Sequence, residues 1–320
     1  MNAGEKVLEW LRTEQLCIDD EWAVEFPGGY SWWSGKNKQT ISIAGSRVGP
    51  EGEAGEIIRV ETEVFEDMDL SDAVLPELNE LMELSSMAGL VFRPDERRIN
   101  LCSSVLVHEG IREWMGPMIS MAAMIQLRDA KEFGKIFATH GWKPAHSGHP
   151  VSGLRETECE LIEGVSEILM EHGKQPSRWE EDEFTQLLKE YMQSPPSVMA
   201  SGGVASVTVE FPFGTETSLC QMTGEQRHPI LGRGLLRVQK FPGVKMSGLY
   251  GIRKALELNL LELGEEPKGY GFGSYCFRDG LLCFSGFMPN MIYRPGFLPN
   301  IYYAMAGRAH FAAEALGDEA

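Results

Sequence analysis

Three histidines, His140, His146 and His149, fall in one short stretch with Trp142 among them. Imidazoles this close raise the possibility of zinc, which takes nitrogen or thiolate ligands in a tetrahedral set. The spacing matches no helical pair such as H-E-x-x-H, and no cysteine accompanies the cluster. Solvated loop histidines are therefore expected, with no metal. A metal-dependent or hydrolytic enzyme built on this histidine-containing linker loop is the alternative. Gly269-Tyr270-Gly271-Phe272-Gly273 is glycine-rich, but no helix follows it as a phosphate-binding loop requires. It reads as strand entry, with glycine permitting close packing. No G-x-S-x-G occurs, and the six cysteines (17, 102, 159, 220, 276, 283) include no C-x-x-C pair. The expectation is a chain with no catalytic residues, no cofactor and reduced thiols, several of them core residues.

The large apolar side chains offer a different chemistry. Trp32 and Trp33 are adjacent, and in a strand adjacent residues face opposite sides, so both indoles cannot enter one core. Either both are buried in different interfaces, one inward and one on the outer face or under the linker, or one is an exposed anchor for a protein partner. Met115, Met118, Met121 and Met124 recur every three residues and make one broad methionine face on a helix. Core packing is one reading. The other is an adaptable binding surface, since flexible thioethers tolerate varied partners. Trp32, Trp33, Met118 and Met121 are thus the candidate protein-binding residues.

Charge limits the partners. The chain has 29 Lys+Arg against 47 Asp+Glu, a formal net charge of −18. Nucleic acid and anionic membrane surfaces both want a basic face, so neither is an expected partner. Residues 1–135 hold most of the excess acid, with 13 basic and 25 acidic side chains. That acid, much of it between Glu51 and Glu83, either confers solubility or draws a partner with basic segments. The start Met1-Asn2-Ala3-Gly4-Glu5 shows no basic region followed by an apolar core, so no signal peptide is expected. The longest near-apolar run, Leu281 to Met305, is broken by three prolines and Arg294. A cytoplasmic protein is expected.

The elements that must position these residues are read from periodicity and turn signals. Helical spacing marks 4–16, 72–86, Pro117 to Phe133 (ended by Gly134), 178–193, a helix from Ser247 to Gly264, and one from Pro299 to about Leu316. Strands are expected at 22–26, in paired runs within 30–46 around Gly35-Lys36-Asn37, and at 56–65, 88–93 and 98–107. In the second half they fall at 204–211, 216–222, 233–240, and in a hairpin of 270–277 with 281–287 over Arg278-Asp279-Gly280. Between the halves lies an exposed Pro/Gly/His-rich loop, 141–153, then a linker helix opened by the Thr157-x-x-Glu160 capping box, with Leu161, Val165, Ile168 and Leu169 on one face.

The halves echo one another. Val24-Glu25-Phe26-Pro27 returns as Val209-Glu210-Phe211-Pro212, and Ile57-Ile58-Arg59-Val60 as Leu235-Leu236-Arg237-Val238. Glu77-Leu78-Asn79 returns as Glu257-Leu258-Asn259, Leu101-Cys102 as Leu282-Cys283, and Pro117 with Ile119 as Pro299 with Ile301. The order is kept, which marks a duplicated module. The fold class expected is α+β: two tandem α-β-β-β-α-β-β-α modules with antiparallel sheets, over residues 1–135 and 178–320, joined by a helical linker at 136–177.

This element order, with central helices 72–86 and 247–263 each set between a three-strand run and a hairpin, resembles the type III secretion chaperone fold of Tir-chaperone and YbjN-like proteins. The resemblance implies a non-enzymatic, protein-binding chaperone that holds an extended segment of a client. Members act as homodimers, so two copies in one chain imply a fused pseudo-dimer that is itself a monomer. It also implies that the paired central helices cover one another.

Overall fold

The alternating runs become strands in the computed structural model, which describes residues 1–320 apart from 85, 139, 161, 163, 166, 169–178, 180, 192–205, 229–230, 243–246 and 318–320. The chain divides into two compact units. The first comprises Met1–Ser71, Met87–Glu167 and Asn259–Phe272, and the second Asp72–Ser86, Ile168–Leu258 and Gly273–Ala320.

The first unit opens with α1 (Ala3–Trp10), started by a capping box in which Asn2 Oδ1 accepts from the Glu5 amide and Glu5 accepts from the Asn2 amide. A π-helical turn, Leu11–Gln15, follows. Then come β1 (Ala23–Phe26), β2 (Gly29–Trp33), β3 (Lys38–Val48) and β4 (Ala54–Glu66). After Ser86 the unit resumes with β5 (Gly89–Arg93), β6 (Arg98–Val107), α3 (Arg112–Ala138) and the short β7 (Lys143–Pro144). All pairings are antiparallel, in the order β1-β2-β3-β4-β6-β11, with β5 also on β6 and β7 on β4. Strand β11 (Tyr270–Gly271) comes from the other end of the chain.

Helix α3 lies on this sheet, and a buried polar network joins the two. Trp32 Nε1 donates to Gln39 Oε1 at 3.0 Å, and the Gln39 amide donates to Thr62 Oγ1 at 2.7 Å and to the Ala123 carbonyl at 2.9 Å. Thr62 in turn donates to Gln126, whose amide reaches Ser103 Oγ at 3.0 Å. Satisfied networks of this kind fix a unique register between helix and sheet.

Helix α3 departs from expectation at both ends. It begins at Arg112, because the Ile111 carbonyl already accepts the Met115 amide at 2.9 Å, so Pro117 lies inside it and removes one helical bond. Gly134 does not end it. Phe133 and Phe137 on either side are both buried, and their burial outweighs the roughly 1 kcal/mol that glycine costs a helix.

The second unit contains α2 (Leu75–Leu84), α4 (Glu181–Tyr191) and α5 (Gly248–Asn259) up to Leu258. Its strands β8 (Ser206–Phe213), β9 (Glu216–His228), β10 (Gly232–Phe241), β12 (Ser274–Arg278) and β13 (Leu281–Pro289) form an antiparallel sheet ordered β12-β13-β10-β9-β8. Helix α6 (Leu298–Leu316) packs on it, with proline in the first turn. Here too a buried glutamine ties sheet to helix: the Gln239 amide donates to Ser218 Oγ at 3.0 Å and to the Met305 carbonyl at 3.1 Å. Ala123 and Met305 are separated by the same interval as the echoing Pro117 and Pro299. The two accepting carbonyls thus hold echoing positions, although Gln39 lies in β3 and Gln239 in β10, the strand whose residues echo those of β4. Of the linker helix, Leu161, Leu169 and Gly173 lie outside the described residues, while Ile162 and Val165 are buried.

The units do not follow the sequence division at 135 and 178. Residues 136–167 belong to the first unit, 72–86 to the second and 259–272 to the first. The expected strand 270–277 is therefore two strands: β11 pairs with β6, while β12 pairs with β13. The break is the glycine run, where Gly269, Gly271 and Gly273 have φ of 73°, 92° and 130°. A Cβ at Gly273 would lie 2.4 Å from the Ser285 carbonyl oxygen, so only glycine fits where the chain leaves one sheet for the next.

Candidate functional site

The histidine loop does not stand free. Trp142 stacks on Phe137 with centroids 4.8 Å apart and meets Phe65 edge-on at 5.0 Å, while Lys143–Pro144 pairs with the end of β4. Trp142, Ala145 and His149 are buried. Most of the loop is exposed as expected, His146 included, and His140 before it is exposed too, but Trp142, Ala145 and His149 fasten it to the sheet. Ser147 Oγ donates to Glu63, and Trp33 Nε1 donates to the Ser147 carbonyl at 2.5 Å. His149 Nδ1 accepts from the Val151 and Ser152 amides, and its ring lies edge-on to Trp33 at 5.0 Å. His140 instead packs against Phe137. Among the described residues no group of three or more His, Cys, Asp or Glu side chains is placed to hold a metal. The Ser147–Glu63 pair resembles a nucleophile with its base, but Arg98 at 2.9 Å and Lys38 at 3.4 Å neutralise the carboxylate. The arrangement anchors a loop.

The four candidate binding residues are all buried: Trp32 is 1% exposed, Trp33 3%, Met118 1% and Met121 7%. The two tryptophans face opposite ways, Trp32 into the network under α3 and Trp33 beneath the loop. In this conformation none of the four offers surface to a partner, which favours the packing reading of each. Much of the acid between Glu51 and Glu83 is also paired within the chain. Arg93 and Arg59 flank Glu61, Lys143 reaches Glu66 and Asp67, Arg97 holds Asp69, and Arg253 holds Asp72.

Two other features matter more. The first is how exchanged segments are held. In the second unit, the Asn79 side chain of α2 grips strand β12 at one residue: its Oδ1 accepts from the Phe277 amide and its Nδ2 donates to the Phe277 carbonyl, both at 2.8 Å. In the first unit, Leu263 of the π-helical turn Leu260–Glu265 is buried with Val91 and Cys102, and Leu260 packs against them. Arg59 donates to the Gly264 carbonyl at 2.8 Å, and Arg47 to the Lys268 carbonyl at 2.7 Å. Burial alone would raise the Glu61 pKa, but Arg59, Arg93 and the Asn100 amide outweigh it and hold the carboxyl below its usual range. Asn79 and Asn259 are the matching asparagines of the echo, and both are buried. An asparagine inside a leucine-rich helix, present in both copies, was a readable sign of a buried polar contact.

The second feature is the pair of sheet edges these segments leave open. Among the described residues β1 pairs only with β2, and β8 only with β9. These are the strands carrying the repeated Val-Glu-Phe-Pro, with Glu25, Phe26, Glu210 and Pro212 exposed along them. Each has a strand on one side only among the described residues, and its glutamate and proline are of the kind that discourages indiscriminate pairing.

No protein-family model matches the sequence, and no curated protein or solved structure is significantly similar to it. The arrangement of the residues is therefore the ground for any functional reading.

Proposed function

We propose that this protein is a non-enzymatic, protein-binding chaperone of the secretion-chaperone type, in which two duplicated modules form a pseudo-dimer within one monomeric, cytoplasmic chain. Its client is an extended protein segment that adds to the edges β1 and β8. Main-chain pairing supplies affinity there, and alternate side chains set selectivity. The exposed Glu210 would favour clients with basic residues, while Glu25 is paired with Arg12. The observation that carries the reading is that, among the described residues, the repeated Val-Glu-Phe-Pro strands pair on one side only, while the opposite edges of the two sheets are met by α2 and by residues 259–272.

The test is hydrogen exchange on the full chain with a panel of extended peptides, some alternating Lys with apolar residues. Binding that slows exchange in β1 or β8, weakens with salt and leaves the peptide intact is the expected result. Protection confined to residues 140–153, or cleavage of the peptide, would favour the enzyme instead.

A further inference from the structure

Cys276 and Cys283 lie directly opposite one another in the β12–β13 hairpin, and both are buried. We propose that they form a reversible cross-strand disulfide, a redox modification site that becomes reachable when α2 lifts from β12. This goes beyond client binding and does not depend on it.

Register makes the bond feasible. The two-residue turn Asp279-Gly280 sets Arg278 against Leu281 as the first hydrogen-bonded pair, so alternation makes Cys276 and Cys283 a hydrogen-bonded pair too. Such pairs have Cα atoms about 5.5 Å apart, within the roughly 4.4–6.8 Å that a disulfide accepts. Opposite side chains share a face, so the two sulfurs point the same way.

The duplication supplies an internal comparison. Cys283 echoes Cys102, but the residue opposite Cys102 is Gly89. The first unit thus holds a single thiol at this place, and the second holds a facing pair.

Burial keeps both thiols inert in the closed state. It pushes Cys283 up to about 11 and Cys276 further, and Glu83 of α2 adds to the rise at both. Glu83 accepts from Asn79 at 2.8 Å, on the helix that Asn79 fastens to the outer edge of β12 at Phe277. Lifting α2 frees the outer edge of β12 and withdraws the carboxylate, so that the hairpin can open and bare its thiols.

The oxidant is a low-molecular-weight disulfide. The Cys283 thiolate attacks one of its sulfurs, breaks its S–S bond and expels one small thiolate, leaving a mixed disulfide on Cys283. The Cys276 thiolate then attacks Cys283 Sγ and expels the second small thiolate. Two protein thiols are oxidised and one small disulfide is reduced, and the two protons from the cysteines end on the two small thiols.

The experiment incubates full-length protein with oxidised glutathione, quenches by alkylation and maps the peptides. Wild type should form the Cys276–Cys283 link slowly, and Asn79→Ala about tenfold faster, as loss of a two-bond clasp implies. Cys276→Ser should stop at a glutathione adduct on Cys283. If Asn79→Ala fails to fold, wild type in urea below its unfolding transition replaces it, and the rate should climb with urea. Cys276 and Cys283 staying unlinked, pairing with other cysteines, or linking at a rate indifferent to both perturbations would overturn the proposal.

Discussion

Leu263→Ala probes the first unit with a residue that belongs, by sequence, to the second copy. Leu263 is fully buried against Val91 and Cys102, so truncation removes its packing and leaves a cavity. Buried leucines lose about 3–5 kcal/mol in this way, and the π-helical turn around Leu263 has some room to settle, which places the expectation near ~3 kcal/mol. That is roughly a hundredfold change in an opening equilibrium. The assay is native-state hydrogen exchange, read separately for β5 with β6 and for β12 with β13. Amides of β5 and β6 should lose about a hundredfold in protection where they exchange by opening of their unit, while those of β12 and β13 change little. Loss confined to β12 and β13, the hairpin that follows Leu263 in the chain, would refute the assignment of residues 259–272 to the first unit.

Other substitutions follow from the same structure. Burial, only partly offset by Arg128 at 3.0 Å, pushes Asp129 up to about 7. A raised folded pKa contributes stability that is fully present below the unfolded value near 3.8 and is lost as pH rises through about 7. Asp129→Asn should therefore raise Tm at pH 8, by the equivalent of about 2–4 kcal/mol, and leave it little changed at pH 4; an unchanged Tm at pH 8 would contradict this. Trp142→Ala should cost about 3–5 kcal/mol and expose residues 141–153 to limited proteolysis, because the indole fastens that loop to Phe137 and Phe65. Met118→Ser with Met121→Ser should lower the urea midpoint steeply, since both thioethers are core; a folded, equally stable double mutant with weakened peptide binding would restore the binding-surface reading.

What the sequence made legible was local. Asp279-Gly280 and Gly35-Lys36-Asn37 announce their hairpins because turn chemistry is decided within a few residues. The alternation in β4 and the spacing of α5 and α6 were readable for the same reason. Which sheet a helix or strand joins is decided by burial between distant residues, and periodicity carries no address. That is why residues 270–277 read as one strand although the chain changes sheets at Gly273, and why residues 72–86 and 259–272 could not be placed in their units. The exposure of most of the histidine loop was readable from its polar, proline-rich composition, which nevertheless hid Trp142, Ala145 and His149, the buried residues that decide its position. Trp32 and Trp33 were readable as facing opposite sides, but their hydrogen-bond partners, Gln39 beside one and Ser147 over the other, depend on contacts across the fold.

The exchange of segments between the two compact units is tested most directly by separating the copies. Residues 1–167 and 168–320, produced as two chains, should each fold poorly alone, since the first lacks β11 and the turn around Leu263 and the second lacks the helix α2 that holds β12. Mixed together, they should form a one-to-one complex in which Asn79 of one fragment again protects the Phe277 amide of the other from exchange. Two fragments that fold independently as monomers, with the Phe277 amide equally protected in 168–320 alone, would contradict the account.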